Sequence, residues 1–131
     1  CSYGLSLLAE AHARSGDYAA ALAAVEDGLS LVETTNERYF EAELRRQHGE
    51  FLAEQGRHEE AWLSLQRSLE VAKAQSAMSF ELRSATTLAR LYGEGAHASA
   101  AANSLQSIVT AMEANGQTLD LGDARYVLSE L

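Results

Sequence analysis

The chain has 131 residues, 47% of them hydrophobic, with no proline and a formal net charge of −9. This is one domain's length with enough apolar mass for a packed core, which excludes general disorder. The acidic balance, with Arg45-Arg46 as its longest basic run, argues against a nucleic-acid partner, and no apolar run reaches the roughly 18–20 residues of a membrane span.

Alanine and leucine dominate the apolar set, strand-favouring residues are sparse, and nothing interrupts a backbone ladder, so the expected class is all-α. Taken in chain order, apolar periodicity predicts helices over 3–14 and 17–34, over 38–55 and 58–75, and over 79–93 and 96–114. Each pair is joined through a glycine: Gly16, Gly56 and Gly95. A glycine can take a left-handed conformation at a helix end without a Cβ penalty. Small residues recur shortly afterwards, at Ala20 and Ala21, at Ala61, and at Ala100 and Ala101, where they let the second helix lie close to the first. The turn glycines stand 40 and 39 residues apart, so the third copy is one residue short before its turn.

The second helices carry apolar stripes: Leu22, Val25, Leu29 and Val32; Trp62, Leu65, Leu69 and Ala72; Leu105, Ile108, Val109 and Met112. One helical hairpin cannot bury such a stripe alone, whereas stacked neighbours can. The expected architecture is therefore a right-handed α-α superhelix of three hairpins, over about 1–36, 37–77 and 78–116. A capping helix over 120–131 follows, begun by Asp120 and presenting Leu121, Ala124, Leu128 and Leu131 on one face.

At the other end Leu5, Leu7 and Leu8 lack an evident lid. That favours a domain taken from a longer protein, or a homodimer formed through the N-terminal helices. The lone cysteine, Cys1, cannot make an internal disulfide, which points to a reducing, cytoplasmic setting.

The sequence carries no catalytic, cofactor-binding or metal-ligand pattern. In "HEEAW" at His58 the position that would supply a second zinc ligand is Trp62. His12, His48, His58 and His97 read as surface or turn side chains, and no serine stands in a motif with a base. An enzyme is not expected, nor a cofactor.

A two-helix repeat with a glycine turn followed by alanine resembles the tetratricopeptide repeat, with Gly49, Gly56 and Ala61 matching its small positions and Tyr92 its aromatic one. A narrower likeness covers about Glu37 to the end. "EAELRR" (Glu41 to Arg46), "SFELRSATTLARL" (Ser79 to Leu91) and "LDLGDARYVLSEL" (Leu119 to Leu131) resemble the C-terminal helical repeats of large bacterial ATP-binding signalling proteins, of the adenylate-cyclase-like or LuxR-type kind. Gln47 and His48 depart from that pattern, where hydrophobic or basic residues are common, and so does the polar third turn. The resemblance implies an interaction or regulatory domain without chemistry of its own, binding a protein, a peptide or other domains of the same chain.

In stacked repeats equivalent positions of the first helices become neighbours. Glu10, Glu50 and Arg90 form one row, Tyr3, Glu43 and Arg83 another, and Ser6, Arg46 and Thr86 a third. The expected inter-repeat ion pairs are Glu43–Arg83 and Glu50–Arg90. These pairs either hold register, at about 0–1 kcal/mol each when exposed, or line a groove for a partner. Candidate groove residues are Tyr3, Glu10, Glu43, Arg46, Glu50, Arg83 and Arg90. Trp62 and Tyr18 read as packing between helices, with a partner anchor as the alternative.

Overall fold

A computed structural model of the chain describes residues 2–35, 38, 40–115 and 126–127. Among these lie six helices and no strand: α1 (Ser2–Arg14), α2 (Tyr18–Thr35), α3 (Glu41–Glu54), α4 (His58–Ala74), α5 (Met78–Tyr92) and α6 (Ala98–Ala114). The all-α class follows. The expected capping helix over 120–131 lies outside the described residues, apart from Tyr126 and Val127, which are helical; Val127 is buried and Tyr126 exposed. Two compact units divide the chain, 1–71 and 72–131, and α4 gives its last turn to the second.

Within the first unit, turns 15–17 and 55–57 share one hydrogen-bond pattern. Gly16 N–H donates to Ala13 O at 2.9 Å, and Asp17 N–H to His12 O at 2.9 Å. Gly56 N–H donates to Ala53 O at 3.0 Å, and Arg57 N–H to Leu52 O at 2.9 Å. Such paired bonds satisfy the last carbonyls of a helix, and they need a left-handed residue between them. Gly16 (φ 84°) and Gly56 (φ 78°) supply it. The Asp17 carboxylate then accepts from Ala20 N–H at 3.1 Å and caps the start of α2.

α1 and α2 pack together, and α2 packs in turn on α3. Gly28 marks that second contact: a Cβ there would lie 3.0 Å from a methyl of Leu44 and 3.6 Å from Leu5. Leu5 is thus half-buried against α2 rather than open, which corrects the expected exposed trio; Leu7 and Leu8 do remain exposed.

α3 and α4 form an antiparallel hairpin. Ala42 O accepts from the buried Ser68 hydroxyl at 2.6 Å, His48 meets Ser64, and Gly49 faces Ala61, so contacts advance along one helix as they retreat along the other. The closest approach is at Gly49, where a Cβ would lie 2.6 Å from Leu65 Cγ and 3.0 Å from Ala61 O. Only hydrogen fits there. The stripe expected on α4 packs inward at Leu65 and Leu69, with Trp62 half-buried at its edge.

The second unit opens with another left-handed turn, made this time by a serine. Ser76 has φ 54°, its N–H donates to Lys73 O at 3.1 Å, and Ala77 N–H donates to Ala72 O at 2.9 Å. α5 packs on α6, with Leu82, Ala85, Leu88 and Ala89 of the one and Leu105, Ile108, Val109 and Met112 of the other buried.

The third turn departs from the first two. The second helices begin at Tyr18, His58 and Ala98, forty residues apart, so the residue missing from the glycine spacing does not displace them. Instead α5 ends early at Tyr92, and a longer turn over 93–97 holds Gly95 at φ 91°.

Two glycine substitutions separate backbone strain from steric overlap. Gly56→Val is expected to cost about 1 kcal/mol or more, because a β-branched side chain tolerates a left-handed φ poorly. Gly49→Ala is expected to cost about 1–3 kcal/mol through overpacking against Leu65 and the Ala61 carbonyl. Urea denaturation of both variants checks this, and wild-type midpoints would contradict the turn and contact assignments.

Candidate functional site: a polar seam along α3

α3 is amphipathic in an unusual sense, because two of its glutamates are buried along with its apolar face. Glu41 receives Arg45 Nε at 2.8 Å and Arg38 at 3.2 Å. Burial pushes its pKa up, but the hydrogen bonds and charges of Arg45 and Arg38 outweigh that and hold it below the usual carboxylate range. Glu43 is met by Arg46, whose NH2 lies 2.7 Å away, while NH1 of the same guanidinium reaches Glu50 at 2.6 Å. Burial works against the Arg46 charge, and the two carboxylates raise its pKa regardless.

The groove candidates therefore divide. Glu43, Arg46 and Glu50 form one cluster along a single helix, at i,i+3 and i,i+4 spacing. Arg83 and Arg90 are exposed on α5, in the second unit. Tyr3 belongs to α1, and its side chain lies outside the described set. In the third row, Ser6 and Thr86 are buried and so line no open surface; the Thr86 hydroxyl donates to Leu82 O on its own helix at 2.7 Å.

Glu10 leads to a feature that the sequence reading passed over. Its carboxylate accepts from Gln47 Nε2 at 3.2 Å, and the same amide nitrogen donates to Ser6 O at 3.2 Å. Gln47 Oε1 in turn accepts from the Ser6 hydroxyl at 2.8 Å. Gln47 is 1% exposed, so this amide uses both N–H bonds and its oxygen to knot α1 to α3 inside the core. A signal was available. Gln47 stands three residues after Leu44 and four before Phe51, on the stripe that faces inward, where a polar side chain must find partners. Among the described residues every buried polar side-chain atom has one.

His48 also departs from expectation. Rather than a surface or turn side chain, it lies midway along α3, half-buried, with Nδ1 2.7 Å from the Ser64 hydroxyl and Nε2 3.5 Å from Glu26 Oε2. A serine thus does meet an imidazole, although neither stands in a sequence motif. Ser64 sits in the middle of α4, where the neighbouring N–H groups are engaged in the helix ladder and offer no donors to an oxyanion. Tyr18 packs on Phe51, with ring centroids 6.2 Å apart and planes tilted by 44°, in keeping with a role between helices.

Among the described residues, no group of three His, Cys, Asp or Glu side chains is arranged to hold a metal ion, and no helix is long and apolar enough to cross a membrane. No protein-family model matches the chain, and no curated protein matches it.

The Gln47 knot gives a test of what holds α1 on α3. Gln47→Leu keeps the volume but leaves the buried Ser6 hydroxyl without its acceptor, an expected loss of about 1–3 kcal/mol. Adding Ser6→Ala removes the orphaned group and should restore part of that loss. Equal and additive effects in a double-mutant cycle would show that the two side chains do not interact.

Proposed function

We propose that the chain is a non-catalytic scaffold for protein–protein interaction or regulation, built as a tetratricopeptide-like solenoid. The observation that carries this reading is the recurrence of one hairpin. The second helices start forty residues apart, the glycine-turn hydrogen bonds repeat at 15–17 and 55–57, and buried Ala21, Ala61 and Ala101 stand at equivalent places. Repetition of a unit that cannot bury its own stripe favours stacking. In such a superhelix the first helices α1, α3 and α5 would line the concave side and offer Glu10, Glu50, Arg83 and Arg90 to a protein or peptide, or to other domains of the same chain, with the buried Glu43 paired to Arg46. The resemblance of "EAELRR", "SFELRSATTLARL" and "LDLGDARYVLSEL" supports a place within a cytoplasmic bacterial signalling or transcription-regulatory ATPase. The acidic composition supports a partner other than nucleic acid.

A display library of random peptides, panned against the immobilised chain, tests the groove. Binders are expected that Glu50→Lys and Arg90→Glu release, with both variants retaining the wild-type helical spectrum. Recovery of no binders, or of binders indifferent to both substitutions, would remove the groove reading.

A second reading, self-association, is favoured by one feature of α1: Leu7 is 53% exposed and the adjacent Leu8 47%. Two large apolar side chains side by side on one helix suit a contact surface. Sedimentation of the chain over a concentration series is expected to show a dimer that Leu7→Glu/Leu8→Glu dissociates. Wild-type protein that stays monomeric at high concentration would end this reading.

A further inference from the structure

Three helices of the first unit meet at one titratable ring. His48 of α3 has Ser64 of α4 on its Nδ1 side, at 2.7 Å, and Glu26 of α2 on its Nε2 side, at 3.5 Å. The neutral ring with its hydrogen on Nε2 suits both neighbours: the Ser64 hydroxyl donates to Nδ1, and Nε2–H donates to the carboxylate. The charged groups that face the ring are Glu26 from α2, Arg45 from α3 itself, Arg57 from turn 55–57 and Glu60 from α4.

We propose that His48 is a proton-operated latch at the junction of α2, α3 and α4, closed while the ring is neutral and loosened when the ring takes up a proton. Protonation makes Nδ1 a donor, so the contact must reverse: the Ser64 oxygen accepts from the ring, and its own hydrogen has to turn elsewhere. A full positive charge then occupies a half-buried site and is repelled by the charges of Arg45 and Arg57. The compensation is weak. Glu26 is 63% exposed and stands at the outer limit of hydrogen-bond distance, and Glu60 is already held by Arg57 at 2.7 Å.

Burial is the largest of these effects, and with the charges of Arg45 and Arg57 it outweighs Glu26, so the His48 pKa lies below its ordinary 6.5. The sign of the linkage follows. The unfolded chain takes the proton at higher pH than the folded one, so the latch contributes in full above about pH 6.5 and is lost as pH falls through the lower folded value. Each unit of depression corresponds to a tenfold fall in the folding equilibrium constant across that window.

The test is a pH series from about pH 7.5 to pH 5 on the whole chain, reading the His48 ring by NMR and amide protection by hydrogen exchange, corrected for intrinsic rates. The ring is expected to titrate below 6.5, and amides of α2 and α4 beside Glu26 and Ser64 should lose protection with the same midpoint, ahead of those in α5 and α6. Arg45→Gln/Arg57→Gln should move the ring's pKa upward, and His48→Gln should abolish the local pH response. A ring that titrates at or above 6.5, or protection lost evenly along all helices, would overturn the proposal. So would an unchanged pH response in His48→Gln; should that variant fail to fold, the wild-type ring titration and amide protection together still decide.

Discussion

The first unit depends on how closely α4 approaches α3 at Gly49. The space that a Cβ would need there is taken by Leu65 and by the backbone carbonyl of Ala61. Helices brought this near can also exchange short polar contacts. The Ser68 hydroxyl reaches the Ala42 carbonyl at 2.6 Å, and Ser64 reaches the His48 ring at 2.7 Å. A larger residue at 49 would disturb all of these together, because each is short and each belongs to the same pair of backbones. At the contact of α2 with α3, Gly28 plays a like part against Leu44. α3 thus meets both α2 and α4 at positions without side chains.

The same helix shows how a buried charge is made tolerable. Glu41 and Glu43 are nearly inaccessible, and each is met by an arginine on α3 three or four residues away, with Arg38 adding to the first. Local pairs of this kind form as the helix forms, so little further ordering entropy is needed to hold them. The contrast with Glu81 on α5 makes the point. Burial raises the pKa of that carboxyl, and the charge of Lys73 offsets the rise only in part, whereas Glu41, with two guanidinium groups at bonding distance, is shifted the other way. Environment decides the direction, and for these carboxylates the environment is mostly a matter of which cation has been brought beside them.

Polar groups that join different helices behave differently from those paired along one. Gln47 binds Ser6 and Glu10 from the far end of the unit's sequence, and His48 links Glu26 and Ser64. Such contacts specify which helices are neighbours and in what register, since a shift of either helix would leave a buried amide or hydroxyl unpaired. For a unit made of similar helical hairpins this matters. Apolar stripes of alanine and leucine match one another in many registers, and a single satisfied amide in the core distinguishes the native one.

The sequence by itself determined the helices and the punctuation between them. Periodicity placed all six described helices within a few residues, and the positive φ at Gly16, Gly56 and Gly95 follows from needs that each helix end has locally. The inward stripes on α4 and α6 were legible for the same reason: they depend on 3.6-residue spacing alone. Tertiary structure decided the rest. It drew Leu5 in against Gly28. It made Gln47 and His48, which read in sequence as departures from a pattern, the points where helices are joined. The physical reason is one of range. Helix formation and helix ends are settled by neighbours within about four residues, but the partner of a buried amide or imidazole is chosen by whichever backbone comes near, and that is fixed only when the helices pack.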